Sequence, residues 1–410
     1  MIKKGYLILC LIFGVHHLLD AQELLKVEGL IVNENNVPLP NVNLRIKEQM
    51  SSVTNNEGEF ILKFPEALNK DTLSISCVGF QSIKIPLSTV SGKLRLILKP
   101  RLVDLAEVAI YSGTPESIVK KAIKNIPANY AQTPFELVGF YREIAKIDAG
   151  YLSFAEASLN ILMRGYGQKK NKDFIIVNKE RNLKKVGNEV VNNPFKASLK
   201  GVPFVILEND LIQNPGAILG ERYLAKYNYE ISGSSSINGE EAFVITFDQK
   251  DNIREALYKG TIVIIKGSYA IASIDFSLSP KGKQYIGSDV PFVLRPLVRL
   301  MGYSFQKLNE QLSCRYAKIK NKWYPQFYSI ATTHHVKARK EHIDGNLQLS
   351  AELFISNVNG KPLKKYDQAD RMPRDYSFNK NAVDYSDDYW GDYNFIKPTT
   401  SLKKIAETIK

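Results

Sequence analysis

Histidines and carboxylates are the side chains best able to hold a metal ion or move a proton, and this 410-residue chain brings few of them together. After residue 21 its histidines are His334, His335 and His342. In a strand, neighbouring side chains point to opposite faces, so His334 and His335 cannot both bind one ion. We therefore expect no metal site and no bound cofactor.

Paired carboxylates offer a second route to acid–base chemistry. Tyr141, Arg142, Glu143 and Glu156 form the one acidic and aromatic grouping that could mark a site. The simpler interpretation is that these residues form ion pairs on a strand surface, with Arg142 or Arg164 as the cation. The sequence contains no Gly-x-Ser-x-Gly elbow, no phosphate loop ending in Gly-Lys-Ser/Thr and no dinucleotide-binding fingerprint. No catalytic residue is predicted.

The elements that would position any site are mainly strands. A chain of this length exceeds one hydrophobic core, so two or three domains are expected. The turn Thr54–Phe60 (TNNEGEF) carries Asn and Gly residues suited to tight turns, and it predicts a hairpin between 42–46 and 60–64. Further short strands are predicted at 25–32, 42–47, 71–77, 82–87 and 94–98.

These segments carry a family resemblance. In order they read VEGLIV, PLPNV, TNNEGEF, LSISCVGF and LRLILKP. The series resembles the carboxypeptidase-regulatory-like domain of Bacteroidota envelope proteins, over residues 25–110. The segment at 103–110 is similar to the L-x-E-V-x-I sequence that often follows this domain. The resemblance implies a transthyretin-like seven-stranded β-sandwich, as found in the N-terminal extension of TonB-dependent receptors, and no catalytic role. The chain also lacks the His-x-x-Glu ligand pair of zinc carboxypeptidases.

The second domain is predicted to be a large curved antiparallel sheet or an open barrel with a few helices. Thr114, Pro115 and Glu116 have the order of a helix start, and an apolar face follows up to Pro127. Long alternating strands at 135–147 and 151–163 are joined by a turn at 148–150. The remaining strands are predicted at 174–177, 227–232, 241–248, 257–266, 269–278, 312–318, 323–336 and 347–358, with a turn at 233–239 and inserts at 202–218 and 291–301.

Two strands of this domain, 257–264 and 269–276, are similar to hairpins of periplasmic lipoprotein-carrier half-barrels. Those folds hold acyl chains on a concave face under a helix, so the resemblance implies a lipid acyl chain as a ligand. An ordinary curved-sheet core explains the same residues, and both interpretations stay open.

The C-terminal segment is rich in Asp, Asn and Tyr and lacks a regular period. We expect a strap over 366–392 whose aromatic residues around Trp390 contact the sheet, or alternatively dock a partner. Pro398 to Ser401 precede a last helix with Leu402, Ile405 and Ile409 on one face.

The first residues predict export. Lys3 and Lys4, the apolar run 6–15 and a polar end at Ala21 are typical of a secretory signal peptide. Removal of residues 1–21 changes the net charge from +13 to +12, because that segment carries two lysines and Asp20. Two cysteines remain, Cys77 and Cys314, and free thiols are expected rather than a disulfide.

The predicted organisation is thus a signal peptide (1–21), a carboxypeptidase-regulatory-like sandwich (22–102), a linker with an amphipathic helix (103–134), a β-rich domain (135–365) and a strap with a helix (366–410). A basic exported chain favours an anionic envelope surface or an envelope protein as partner, and no nucleic acid. The leading functional prediction is a non-enzymatic accessory or binding protein at the periplasmic face of the outer membrane. The alternatives are a lipid or lipoprotein carrier and a hydrolase with its site in the second domain.

Overall fold

The computed structural model describes residues 24–47, 50–101, 113–148, 150–167, 173–184, 200–237, 239–287, 302–339, 342–362, 366–378 and 386–408. The predicted signal peptide, the segment at 103–110 and the insert at 291–301 lie outside these ranges.

The first domain is a sandwich of seven strands in two sheets. The strands are β1 (Leu24–Asn33), β2 (Asn43–Ile46), β3 (Met50–Val53), β4 (Glu59–Pro65), β5 (Thr72–Ser76), β6 (Ile83–Pro86) and β7 (Leu94–Leu98). One sheet has the order β4-β1-β7 and the other β3-β2-β5-β6. Apolar side chains from both sheets, among them Ile31, Phe60 and Ile75, are fully buried between them. The predicted seven-stranded sandwich is confirmed.

The predicted hairpin at Thr54–Phe60 is wrong. This turn joins β3 to β4, which lie in different sheets, because β4 pairs with β1 while β2 pairs with β3 and β5. The sequence prediction missed β3 because its serines interrupt the apolar pattern. Gly58 is required at the crossing: its φ is +72°, and a Cβ there would lie 2.4 Å from the Ile31 carbonyl oxygen.

The second domain is built on one antiparallel sheet of ten strands. They are β8 (Phe135–Ile147), β9 (Gly150–Met163), β10 (Phe174–Lys184), β11 (Tyr227–Ile237), β12 (Glu240–Gln249), β13 (Tyr258–Ile265), β14 (Ile271–Leu278), β15 (Tyr303–Ile319), β16 (Lys322–Ala338) and β17 (Ile343–Asn359). The order is β10-β9-β8-β17-β16-β15-β14-β13-β12-β11. Among the described strands the two end strands do not pair with each other, so the sheet is open.

Several strands extend beyond their predicted bounds, most of all β10, which ends at Lys184 rather than at residue 177, β11 and β15. The predicted turn at 233–239 is wrong, because β11 continues to Ile237 through a bulge between Ile231 and Gly233. Gly233, the glycine that indicated a turn, lies at this bulge within the strand. Strand β15 begins at Tyr303 rather than Leu312, and the polar residues of its first half hid it from the apolar pattern.

Six α-helices accompany the sheet in the described ranges. They are α1 (Pro115–Lys124), α2 (Ile126–Asn129), α3 (Val202–Glu208), α4 (Gly216–Leu219), α5 (Glu221–Leu224) and α6 (Thr400–Thr408). As predicted, the Thr114 side chain caps α1 by accepting a hydrogen bond from the Ser117 amide at 3.2 Å. The apolar side chains of α1, α3, α4 and α5 are buried against one face of the sheet.

The opposite face of the sheet carries the sandwich and residues 386–399, which form the end of the C-terminal strap. Alternation along the strands separates the two faces: Tyr141 points to the helices, whereas Phe140 belongs to a second apolar cluster. This interdomain cluster comprises Val53, Ile61, Phe140, Phe327, Phe354, Trp390, Phe395 and Ile396. Trp390 is fully buried with its ring 5.0 Å from that of Phe140, so the strap contacts the sheet as first predicted.

Candidate functional site

A cleft of about 1010 Å³ lies between the sandwich and the large sheet. One wall comes from strands β2, β5 and β6 of the sandwich. The other comes from the turns that join β11 to β12 and β15 to β16. The lining residues are Arg45, Lys47, Ser74, Ile75, Ser76, Gln81, Ser82, Ile83, Lys84, Arg101, Ser236, Gly239, Glu240, Lys318 and Lys320.

The charge of this cleft is strongly one-sided. Within the described residues, six basic side chains line it against a single carboxylate, Glu240. A concave surface lined by one sign of charge concentrates its field and attracts ions of the opposite sign. The cleft is therefore suited to an anion.

Two of the six cations are unpaired within the described residues. Lys84 and Lys320 are exposed, and neither forms an ion pair or a side-chain hydrogen bond there. Lys47 pairs with Asp71 at 2.8 Å and Lys318 with Glu240 at 2.7 Å. Solvent-exposed pairs of this kind contribute little free energy, so an incoming anion can compete with their carboxylates.

Local structure places the two unpaired lysines on opposite walls. Side chains alternate along β6, and Lys84 is exposed between the half-buried Ile83 and Ile85. Lys320 lies in the two-residue turn between β15 and β16, with a φ of +53°. Serine hydroxyls lie on both walls, Ser74 and Ser82 on one and Ser236 on the other, and can donate hydrogen bonds to anion oxygens.

The floor of the cleft joins the two domains. The Arg45 guanidinium, only 8% exposed, donates a hydrogen bond from Nη1 to the Lys318 carbonyl oxygen at 3.3 Å. Nearby, the Arg101 guanidinium lies 3.9 Å from the Glu241 carboxylate, also across the domain boundary. The walls are thus held at a fixed separation at their base.

The lining also restricts the ligand class. None of the described lining residues is aromatic or histidine, and only Ile75 and Ile83 are aliphatic. Base or sugar rings usually stack on aromatic side chains, and acyl chains need apolar walls. The cleft favours a polar ligand recognised through its charge.

The grouping predicted at Tyr141, Arg142, Glu143 and Glu156 is divided between the two faces of the sheet. On the helical face the Tyr141 hydroxyl donates to Glu143 Oε2 at 2.5 Å, and burial raises the pKa of Glu143 to about 7. On the opposite face Arg142 contacts Glu156. The four residues do not form one site.

The expected surface ion pair is buried. Glu156 accepts hydrogen bonds from Arg142 Nε at 2.8 Å and Nη2 at 2.7 Å, and from Arg181 Nε at 2.7 Å. These residues and Glu352 lie directly opposite one another on β10, β9, β8 and β17, in the order Arg181, Glu156, Arg142, Glu352. We refer to these four residues as the charge row. The strap covers it, since Arg142 donates to the Ile396 carbonyl and Arg181 lies 5.0 Å from the Trp390 ring.

A second buried carboxylate, Asp210, escaped the sequence analysis. It follows α3 and accepts hydrogen bonds from Tyr316 and Tyr328 at 2.7 Å each, from Tyr166 at 2.9 Å and from the Ile212 amide at 3.0 Å. Burial raises its pKa, although these hydrogen bonds act in the opposite direction. These hydrogen bonds connect the end of α3 to the sheet. No sequence motif predicts them.

The histidines and cysteines show no catalytic arrangement in the described ranges. His335 Nε2 lies 3.0 Å from Asp344 Oδ1. No group of three or more His, Cys, Asp or Glu side chains in those ranges is placed to hold a metal ion. Cys314 is buried, Cys77 is half-buried, and both are free thiols as predicted.

The resemblance to lipoprotein-carrier half-barrels implies an acyl chain on the sheet face under the helices. In the described part of the chain this space is occupied by the protein's own side chains, including Phe204, Ile206, Leu207 and Leu211. They pack against sheet residues such as Leu137 and Ile274.

Residues 27–110 match the sequence model of the CarboxypepD_reg-like domain family. The match covers the sandwich and confirms the resemblance of the first domain. Among curated protein sequences, none matches the chain significantly.

Solved structures similar to this chain include three bacterial proteins. A DUF1329 family protein from Desulfovibrio piger has 12% identity, a TM-score of 0.25, and coverage of 62% of this chain and 96% of its own. A putative outer membrane lipoprotein-sorting protein domain from Vibrio parahaemolyticus has 11% identity and a TM-score of 0.25, and the match covers 63% of this chain and 97% of that domain. A LolA superfamily protein from Nitrosomonas europaea has 13% identity and a TM-score of 0.22, and the match covers 62% of this chain and 96% of that protein.

Within the described ranges, none of the helices has the length and apolar character needed to cross a bilayer.

Proposed function

We propose that this protein is a non-enzymatic binding protein of the bacterial cell envelope that holds an anionic ligand in the cleft between its two domains. The observation that carries the proposal is the cleft itself, whose described lining has six basic side chains and one carboxylate and whose floor is formed by both domains. Such a surface attracts anions whatever their remaining chemistry.

The envelope location is supported by two features of the sequence. The first 21 residues have the pattern of a secretory signal peptide. Residues 27–110 match the CarboxypepD_reg-like domain family, and the sequence segments in this range resemble those of Bacteroidota envelope proteins. The ligand is accordingly an anionic component of the envelope, or an acidic surface of an envelope protein.

The test measures anion binding by the protein from residue 22 to 410. Binding of pyrophosphate is followed by isothermal titration calorimetry at low ionic strength and again at higher salt. We expect one saturable site whose affinity falls as salt screens the lysines. The double variant K84E/K320E should lose this binding.

A matched control separates a site from general basicity. The variant K26E/K259E reverses two exposed lysines, one in each domain and both outside the cleft, so its net charge equals that of K84E/K320E. It should retain the affinity of the unmodified protein. Equal losses in both variants would show that only net charge matters, and would overturn the proposal.

The lipid or lipoprotein carrier is the second candidate, since it was the alternative implied by the hairpins at 257–264 and 269–276. It requires space for an acyl chain beneath the helices. Mass spectrometry of lipids extracted from the protein as purified from its envelope tests this alternative directly. Stoichiometric acyl chains would support it, and their absence would remove it.

A further inference from the structure

We propose that the ligand carries at least two anionic groups and bridges both walls of the cleft, one group bound by the Lys84 wall and one by the Lys320 wall. This inference rests on the proposed function and narrows the ligand class to molecules with two or more phosphate-like groups. A single anion would engage only one wall.

Each wall has its own set of groups for an anion. On the sandwich wall, Lys84 is accompanied by Ser74 and Ser82; on the sheet wall, Lys320 is accompanied by Ser236. A lysine ammonium and a serine hydroxyl are both donors to phosphate oxygens. The two sets belong to different domains, so the cleft has two half-sites.

The size of the cleft agrees with a ligand larger than one anion. Its volume of about 1010 Å³ lies at the upper end of the range for pockets that hold whole small molecules, about 300–1,000 Å³. Because the described lining has few apolar and no aromatic residues, the affinity must come from charge contacts. A ligand of this size satisfies more of them if it has several anionic groups.

Hydrogen bonds between the two domains hold the two walls next to each other. The Arg45 to Lys318 contact fixes the floor, and Ser51 Oγ donates to the Ile355 carbonyl at 2.8 Å elsewhere in the same interface. Because the half-sites are already held in place, the second anionic group binds in an intramolecular step. Such a step can raise overall affinity by about 10²-fold or more without any new kind of contact.

The experiment compares inorganic phosphate with tripolyphosphate at the same ionic strength, using phosphorus NMR titration and calorimetry. We expect two weakly bound phosphates per chain but a single tripolyphosphate, bound about 10²-fold more tightly. K84E and K320E, made separately, should each reduce the phosphate stoichiometry to one. Each should also lower the tripolyphosphate affinity to nearly that of phosphate.

The outcomes separate this inference from the proposed function. If tripolyphosphate binds no more tightly than phosphate, or if only one of the two lysine variants affects it, bridging is overturned while anion binding stands. If neither anion binds, both proposals fail. The single variants K26E and K259E serve as controls for the two domains and should leave both anions unaffected.

A third comparison identifies the source of the anionic groups. Vesicles containing cardiolipin, with two phosphates per headgroup, are compared by flotation with phosphatidylglycerol vesicles of equal surface charge. Retention on cardiolipin alone, lost in K84E and in K320E, would support a bridging ligand in the form of a lipid headgroup. Tripolyphosphate binding without vesicle retention would support a soluble bridging polyanion. Equal retention on both vesicles, unaffected by either variant, would count against bridging at a membrane.

Discussion

The chemically most distinctive residues of this protein are buried charges, and their geometry shows a structural role. In the charge row, the Glu156 carboxylate contacts both Arg142 and Arg181, whose side chains are 4% and 0% exposed. A buried ion pair adds little net stability over apolar residues of the same volume, but removing one partner leaves the other charge desolvated. The charge row is therefore sensitive to substitution without being a catalytic site.

Substitution of Glu156 by Gln should destabilise the protein by about 3–5 kcal/mol, because the buried Arg142 and Arg181 lose the carboxylate that both contact. The free energy of unfolding is measured by urea denaturation. The control is Glu116→Gln, which removes an exposed pair with Lys120 at 2.8 Å and should change stability by about 0.5 kcal/mol or less. Similar values for the two variants would contradict the burial of the charge row.

Glu143 gives a prediction about pH. Burial raises its pKa from 4.5 to about 7 in the folded protein, so between these values the unfolded chain is ionised while the folded protein holds the proton. The folded state then binds more protons than the unfolded state, and stability falls as pH rises through this window, by roughly 3 kcal/mol in total.

Urea denaturation at several pH values between about 4 and 8, a range that spans both pKa values of Glu143, measures this change in stability. Glu143→Gln keeps an oxygen for the Tyr141 hydroxyl but cannot ionise, so its stability should fall less steeply than that of the unmodified protein. Parallel profiles for the two proteins would show that another group is responsible.

Among the elements, the turn at Thr54–Phe60 has a role that its own sequence does not reveal. Asn55 Nδ2 donates to the Lys397 carbonyl at 3.1 Å, and the Glu57 carboxylate accepts from the Thr400 amide at 2.9 Å. Glu57 thus caps α6, an element more than 300 residues later in the chain. The turn that links the two sheets of the sandwich also anchors the C-terminal strap.

Replacing Glu57 with Ala should release the first turn of α6, since an N-terminal cap contributes about 1 kcal/mol. Hydrogen–deuterium exchange at 400–408 should become several-fold faster, while exchange in β12 and β13 stays unchanged. Glu34→Ala, an exposed carboxylate elsewhere in the sandwich, is the control. Unchanged exchange in α6 would show that the cap contributes nothing in solution.

Sequence patterns predicted the elements well where apolar alternation was regular, as in β8 and β9, and where helix-start residues followed one another, as at Thr114. They failed where polar residues continue a strand, as in β3 and the first half of β15. The cleft was not predicted because its residues come from separate segments. Lys84 and Lys320 line the same cleft only because the sandwich packs against the sheet.

At the scale of the whole molecule, the interdomain cluster makes the two domains one structural unit. Val53 and Ile61 of the sandwich are buried with Phe140, Phe327 and Phe354 of the sheet. Differential scanning calorimetry should therefore show a single transition. Phe354→Ala should lower the unfolding free energy by about 3–5 kcal/mol and separate the domain transitions.

The control for this prediction is Val37→Ala, which shortens a side chain that is 53% exposed and should leave the single transition unchanged. Two separate transitions in the unmodified protein would contradict cooperative unfolding of the domains.

The order of strands in the large sheet has a consequence for the folding rate. Strand β8, the first of its domain, pairs with β17, the last, with Ile147 opposite Leu347. Contacts between residues so far apart in sequence form late and slow the folding of β proteins, because a long loop must close first. Until β17 is available, the inner edges of β8 and β16 remain unpaired, and such edges are prone to aggregate. A newly synthesised chain should therefore depend on protection until its last strand arrives, well after the sandwich can fold.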